Sequence, residues 1–368
     1  MTKLIVAVLG LLSLAPTAHS QTADSAAVPA PPTILVGPPT ASSSITNPAI
    51  SVIGWFQGVG GNDPGAQESP FELHEAELAF QAAVDPFSRA DFFLAAGPEG
   101  LELEEGYITW IALPGGGQAK FGKFRADLGK FNRTHPPETP FADRPLSTVA
   151  FLGEEGLVTT GIAASALIPN PLDLYWDVVA NAGTVPEAAE QPLFEARSRS
   201  DLLVLARTSV FVPLRESADL NLGLSYANAR SQAALEPEGD RARLGTVDVT
   251  FRWKNLRRSI YRSLAVQAEL TGERGSARGA ETRRGGFGYA IYQFARQWKI
   301  GARYDWTERL DAPEHVSGAL GLLQYQPSEF STLSLQGRRI HDPIDDRDFD
   351  SAFFKWTFNI GPHGAHPY

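Results

Sequence analysis

Long stretches of this chain alternate between apolar and polar residues with a period of two. In Trp298-Lys299-Ile300-Gly301-Ala302-Arg303-Tyr304-Asp305-Trp306, one face carries Trp, Ile, Ala, Tyr and Trp, and the other Lys, Gly, Arg and Asp. Val247, Val249, Phe251 and Trp253 oppose Asp248, Thr250 and Arg252, and Phe354, Trp356, Phe358 and Ile360 oppose Lys355, Thr357 and Asn359. Leu172, Leu174, Trp176 and Val178 oppose Asp173, Tyr175 and Asp177, and Leu220, Leu222, Leu224 and Tyr226 oppose Asn221, Gly223 and Ser225. A sustained period of two with one apolar face predicts β-strands. Two architectures satisfy it. In a water-soluble sandwich the apolar faces meet in a dry core; in a membrane barrel they face lipid and the charged faces line an aqueous lumen. Strand length favours the barrel. Many segments run about 9 to 14 residues, against about 5 to 6 in ordinary sheets, and a tilted membrane strand needs about 9 to 11.

About sixteen such segments centre near Val52, Leu78, Phe93, Ile108, Phe121, Ile162, Trp176, Val204, Leu222, Val249, Val266, Tyr289, Ala302, Leu320, Leu333 and Phe354. Their connections alternate between short turns, such as Asp85-Pro86-Phe87-Ser88 and Arg296-Gln297, and long polar loops, such as Ala182–Ser200 and Asn228–Arg241. Short turns at one end and long loops at the other mark outer-membrane barrels. The predicted fold is therefore all-β: a transmembrane antiparallel barrel of about 16 strands over residues 48–360, with periplasmic turns and exterior loops. The longest connection, Ala126–Glu154, is the third exterior loop, and by analogy with the third loop of other sixteen-stranded outer-membrane barrels it is expected to fold inward.

Before the barrel, residues 1–20 read as a signal peptide. Lys3 precedes an apolar stretch from Leu4 to Ala15, and Ala18-His19-Ser20 suits cleavage before Gln21. Residues 21–47, rich in Pro, Ala and Ser, read as a periplasmic tether, and residues 361–368 as a C-terminal tail. Without Lys3 the exported chain keeps 31 basic against 42 acidic residues. That balance argues against a nucleic-acid partner. There are no cysteines, which excludes disulfide scaffolds, thiolate metal sites and cysteine nucleophiles. No HExxH, GxSxG or P-loop pattern occurs. A lipase-type barrel would need a Ser and a His together on the lipid face near the rim, and the pattern pairs none there, so neither an enzyme activity nor a cofactor is expected.

Phe71–Ala96 (FELHEAELAFQAAVDPFSRADFFLAA), GLELEEGYITW, AKFGKFRADLGKFNRTHPPETPFADRPL, Phe151–Leu157 (FLGEEGL) and the closing GPHGAHPY resemble a bacterial outer-membrane family. It is the porins related to the phosphate-selective porins, whose members are sometimes labelled zinc-regulated or TonB-dependent outer-membrane receptors. The resemblance covers roughly the first 110 residues of the barrel and its last strand. It implies a sixteen-stranded, often trimeric barrel in the outer membrane, surrounded by lipid, inserted by the barrel-assembly machinery and passing small solutes or anions. A receptor driven by TonB has about 22 strands and a plug, more than this chain can hold, so energised uptake is not expected.

Selectivity would come from lumen charges. Strand parity points inward for Arg207, Arg252, Lys254, Lys299, Arg303, Arg338 and Lys355, and for the acids Glu75, Glu77, Asp173, Asp177, Asp248, Glu269 and Asp305. The long loop and its root add Lys123, Arg125, Lys130, Arg133 and Arg144 as candidates for a basic constriction. Parity near Glu102–Gly106 is ambiguous and assigns nothing there. His363 and His366, three apart in the tail, are weak metal candidates; incidental histidines explain them better, and no metal is expected. The leading expectation is a passive channel for small hydrophilic solutes or ions, with an oxyanion-selective channel as the alternative.

Overall fold

The structure is a computed structural model that describes residues 48–63, 70–98, 100–185, 192–232, 241–258, 261–275, 282–309, 314–343 and 347–361. The signal-peptide and tether readings, and His363 and His366, lie outside the described residues.

Sixteen strands follow one another: β1 (Ala49–Gly61), β2 (Phe71–Asp85), β3 (Ser88–Gly97), β4 (Gly100–Trp110), β5 (Gln118–Arg125), β6 (Val158–Leu167), β7 (Tyr175–Thr184), β8 (Leu203–Arg215), β9 (Ala218–Arg230), β10 (Arg241–Lys254), β11 (Ser263–Arg274), β12 (Thr282–Ala295), β13 (Trp298–Glu308), β14 (His315–Ser328), β15 (Ser331–Asp342) and β16 (Arg347–Ile360). Each pairs antiparallel with its sequence neighbours, and β1 closes on β16 with Val52 opposite Ile360 and Gly61 opposite Ser351. Closure leaves no strand edge unpaired. All sixteen centres read from the sequence fall inside these strands. The chain is an all-β closed barrel, and no helix of the described residues is long and apolar enough to cross a membrane.

The sandwich alternative fails on where the apolar residues sit. Ile162, Val204, Leu224, Leu270 and Tyr304 are each more than half exposed on the outside. On the opposite face, Asp248, Arg207, Arg303 and Asp305 are 0–3% exposed. An apolar exterior around a charged interior inverts the water-soluble arrangement and matches a lipid-facing wall. Aromatic rings collect at the short-turn end. Phe87 stacks on Trp110 at 5.9 Å, and Trp298 meets Tyr325 at 4.7 Å. Trp176 and Trp356 donate from Nε1 to Thr208 and Ser331. Rings with an apolar body and a polar tip suit a membrane interface.

The interior departs from expectation in one respect. The sequence reading takes the inward face as wet throughout. Yet Phe287, Leu320, Leu322, Leu203, Leu205 and Leu244 also point inward and are buried. They are the seats of an inward-folded loop, residues 126–157, and of Leu193 and Phe194. Leu128, Phe151, Leu152 and Leu157 of the loop pack with Leu193, Phe194, Leu203, Leu205 and Leu244. Phe141 packs on Leu320 and Leu322, with Tyr289 and Ile291 beside it. A loop that crosses a lumen needs its own apolar core.

Candidate functional site

The loop is closed at its neck by one side chain. Asn132 donates from Nδ2 to the carbonyls of Ala126 (2.8 Å) and Leu157 (2.9 Å), and its Oδ1 accepts from Leu157 N–H. From this neck the chain crosses to the far wall. There Ser225 Oγ accepts from Gly129 N–H (3.0 Å), and Glu269 Oε1 accepts from Lys130 (2.8 Å) and Phe131 (2.6 Å) N–H. Gly129 has φ 65°, and a Cβ there would collide with the Glu269 carboxylate. Glycine is therefore required twice over, by conformation and by space.

Wall acids thus receive loop N–H groups, and wall cations receive loop carbonyls. Lys355 Nζ donates to Pro136 O (3.2 Å), Thr139 O (2.9 Å) and Phe141 O (3.0 Å), with its ammonium 4.1 Å from the Trp55 ring. Asp143 is gripped by Arg303 and Arg338, each at 2.7 Å; Arg303 also donates to the Asp143 carbonyl. Burial raises the Asp143 pKa, but the two guanidiniums outweigh it and hold the carboxyl below its usual range. Asp305 pairs with Arg303 at 2.9 Å and accepts from Leu146 N–H at 3.3 Å. It thereby serves an orphan donor at the start of helix α1 (Leu146–Leu152). Lys355→Met is expected to strand three loop carbonyls and destabilise the barrel by about 2–3 kcal/mol. The readout is a lower temperature for loss of the compact species on unheated SDS gels; an unchanged temperature would show that the carbonyls find water.

The candidate site residues are distributed unevenly over this scheme. Arg207 pairs with Asp248 (2.6 Å), Arg252 with Asp219 (2.9 Å), Arg133 with Asp127 (3.2 Å), and Arg338 also with Asp63. Arg144 donates to Glu155 O (3.2 Å), and burial beside Arg125 lowers its pKa to about 10. Arg125 is buried at the loop root against Glu104 (3.1 Å) and Glu155. Lys130 and Lys299 make no ion pair among the described residues. Lys123 is a correction. It shares the outward parity of Phe121 and Thr160, and its ammonium serves Leu103 O (2.7 Å) and Glu102 (3.3 Å), so it lines no lumen. Asp173 is another: it lies before β7, in a turn with φ 52°, rather than on an inward strand face.

Sequence reasoning missed the densest cluster. Between β3 and β4 the register shifts, with Phe93 opposite Glu105 and Leu94 opposite Leu103. This β-bulge leaves Glu104 as the extra residue. Glu104 and Glu105 therefore both turn inward, although neighbours in a regular strand face opposite ways. His135 of the loop stands between them. Its Nδ1 is 2.7 Å from Glu77 Oε2 and 2.8 Å from Glu104 Oε2, and its Nε2 donates to Glu105 Oε1 at 2.6 Å. Phe93 covers the ring at 5.0 Å. Burial drives the imidazole pKa down, but Glu77, Glu104 and Glu105 override it and hold it well above the usual value. One ligand atom each from Glu77, Glu104 and His135 lies within 4.8 Å of the others. The available signal was the run Leu103-Glu104-Glu105-Gly106, where alternation slips by one.

A closed sixteen-stranded barrel with an apolar exterior and a loop fastened across its inside is the architecture of outer-membrane porins. Pseudomonas putida OprB superposes with a TM-score of 0.58 at 11% identity, covering 85% of this chain and 94% of that one. The anion-selective porin from Comamonas acidovorans gives 0.56 at 9% identity, covering 85% and 98%. OmpT of Vibrio cholerae in its trimer form gives 0.54 at 10% identity, covering 85% and 100%. At such identities the likeness is one of fold. In sequence, the chain is 28% identical over 349 residues to an uncharacterized protein of Aquifex aeolicus, covering 85% of this chain and 74% of that one. No family model matches.

Proposed function

We propose that the protein is an outer-membrane porin, a passive channel for small hydrophilic solutes or ions, exported by its N-terminal segment and inserted by the barrel-assembly machinery. The observation that carries this reading is the inverted wall: a closed barrel whose apolar side faces out and whose charged side is enclosed. Fastening the loop at Glu269, Asp143 and Lys355 gives a constriction of fixed shape rather than a mobile lid. No catalytic step belongs to this reading. A homotrimer is the assembly we infer from the fold class.

Most lumen cations already have acid partners, which favours a weakly selective pore. The second reading is an oxyanion-selecting constriction, for which Lys130, Lys299 and Arg144, none in an ion pair among the described residues, are candidate cations. In planar lipid bilayers the purified full-length protein is expected to insert in discrete conductance steps. Reversal potentials under a salt gradient then separate the two readings, a strong anion preference supporting the second. A correctly folded barrel that inserts and never conducts would sink both.

A further inference from the structure

Three carboxylates, those of Glu77, Glu104 and Glu105, converge on the single His135 ring. Glu105 accepts His135 Nε2–H with Oε1 and Arg125 N–H with Oε2 (3.0 Å), so both of its oxygens are engaged and the ring's orientation is fixed. Nδ1 then faces Glu77 Oε2 and Glu104 Oε2 together, at 2.7 and 2.8 Å. A single Nδ1 hydrogen cannot point straight at both. The far oxygen of Glu104 is held by Arg125, which leaves Oε2 aimed at Nδ1. A separate observation points the same way. Glu75, one lumen-facing place from Glu77 on β2, is only 8% exposed, and its Oε1 has no hydrogen-bond partner. It lies within electrostatic reach of Glu77, Glu104 and His135. Arg125, Arg144 and Lys355 also lie within electrostatic reach of these carboxylates, yet none of them donates a hydrogen bond to Glu75 Oε1, which stays buried without one.

We propose that Glu77 Oε2, Glu104 Oε2 and His135 Nδ1 bind a divalent transition-metal ion, with the Glu75 carboxylate beside them on β2 adding negative charge rather than a ligand atom. Glu105 is then the positioning carboxylate on the other ring nitrogen, an arrangement that metal-binding histidines commonly use. One imidazole among carboxylates suits zinc, cobalt or manganese, whereas calcium and magnesium favour all-oxygen shells. A tetrahedral ion with bonds of about 2.0–2.1 Å spaces its ligands by about 3.4 Å. The present 2.7–2.8 Å contacts need to open by about 0.6 Å, which a small rotation of the glutamates supplies. The ion would tie loop residue His135 to β2 and β4 at once, completing the ring of fastenings made elsewhere by Glu269, Asp143 and Lys355.

The test uses the full-length barrel in detergent, stripped with a chelator and titrated with Zn²⁺ and Co²⁺. One ion per barrel is expected, with a cobalt absorption spectrum characteristic of nitrogen and oxygen ligands and no displacement by a tenfold excess of Ca²⁺. Binding is expected to disappear in His135→Ala and Glu77→Gln, and to weaken about 10–100-fold in Glu105→Gln. A His363→Ala/His366→Ala double variant keeps the site. Absence of stoichiometric binding by the wild-type barrel overturns the proposal whatever the variants do. Loss of binding in the tail variant with retention in His135→Ala overturns it too. None of these readouts involves conduction, so the channel reading can fail while the metal site stands, and the reverse.

Discussion

Asp143→Ala is expected to release the inner loop from the β13–β15 wall and to widen the pore. The substitution removes the one carboxylate that Arg303 and Arg338 share. Removing one member of a buried ion pair typically costs about 3–5 kcal/mol, because the remaining charge stays desolvated. Here Arg303 keeps Asp305 and Arg338 keeps Asp63, which places the effect near the lower end, about 3 kcal/mol. Phe141, two residues earlier, sits under the Arg303 guanidinium at 4.8 Å and loses that lid. Single-channel conductance should rise, and amide exchange over residues 136–146 should accelerate. Unchanged conductance together with unchanged exchange would show that apolar packing alone holds the loop. The same latch sets a pH dependence. The Asp143 carboxyl titrates below its unfolded value. Its contribution is therefore complete above the usual aspartate pKa of about 3.9 and is lost only as the pH falls through the depressed folded value. The wild-type latch should hold at pH 5, and Asp143→Asn should resemble the wild type only in strongly acidic solution.

The strands and their faces were legible because each of them solves a local problem, which is to show one face to an apolar medium and the other to polar groups. Val247/Asp248 and Tyr304/Arg303 state the solution in adjacent letters. The inner loop was legible as length and as a basic tract, but its fastenings were not. Arg303, Arg338 and Lys355 were read as free lumen cations, and parity placed them on the correct face. Parity is silent on what arrives from 160 or more residues away to pair with or solvate them. The dry seats were hidden for a related reason. In β12 the inward Phe287, Tyr289 and Ile291 alternate with Gly288 and Ala290, so the contrast between faces fades where both neighbours are apolar. The metal-like cluster fell in the stretch where a bulge breaks the period. Counting by twos assigns Glu104 and Glu105 to opposite faces, whereas the structure puts both on His135.

The largest effect on the wall itself is expected at Gly223. Arg207 on β8 and Asp248 on β10 are not on neighbouring strands; β9 runs between them. The two side chains meet over β9 in a two-pronged contact, Nη1 to Oδ2 at 2.6 Å and Nη2 to Oδ1 at 3.0 Å, with Ser225 Oγ accepting a third hydrogen bond from Arg207. The residue directly beneath is Gly223, opposite both Ser209 and Asp248. A Cβ at Gly223 would overlap the Asp248 carboxylate and the Arg207 guanidinium. Gly223→Ala must therefore part the ions or bend β9. Either way two charges that are 0–3% exposed lose their pairing, at about 3–5 kcal/mol. Asp248→Ala should cost a similar amount by abandoning Arg207. Because both substitutions act on the same contact, their effects should not add. In an Arg207→Ala/Asp248→Ala background, Gly223→Ala should cost little, since the methyl group enters space the ions have left. Thermal unfolding of the detergent-solubilised barrel measures all of these variants. If Gly223→Ala destabilises the paired and unpaired backgrounds equally, the glycine is needed for backbone reasons alone. The charged bridge would then not be what requires a bare Cα at position 223.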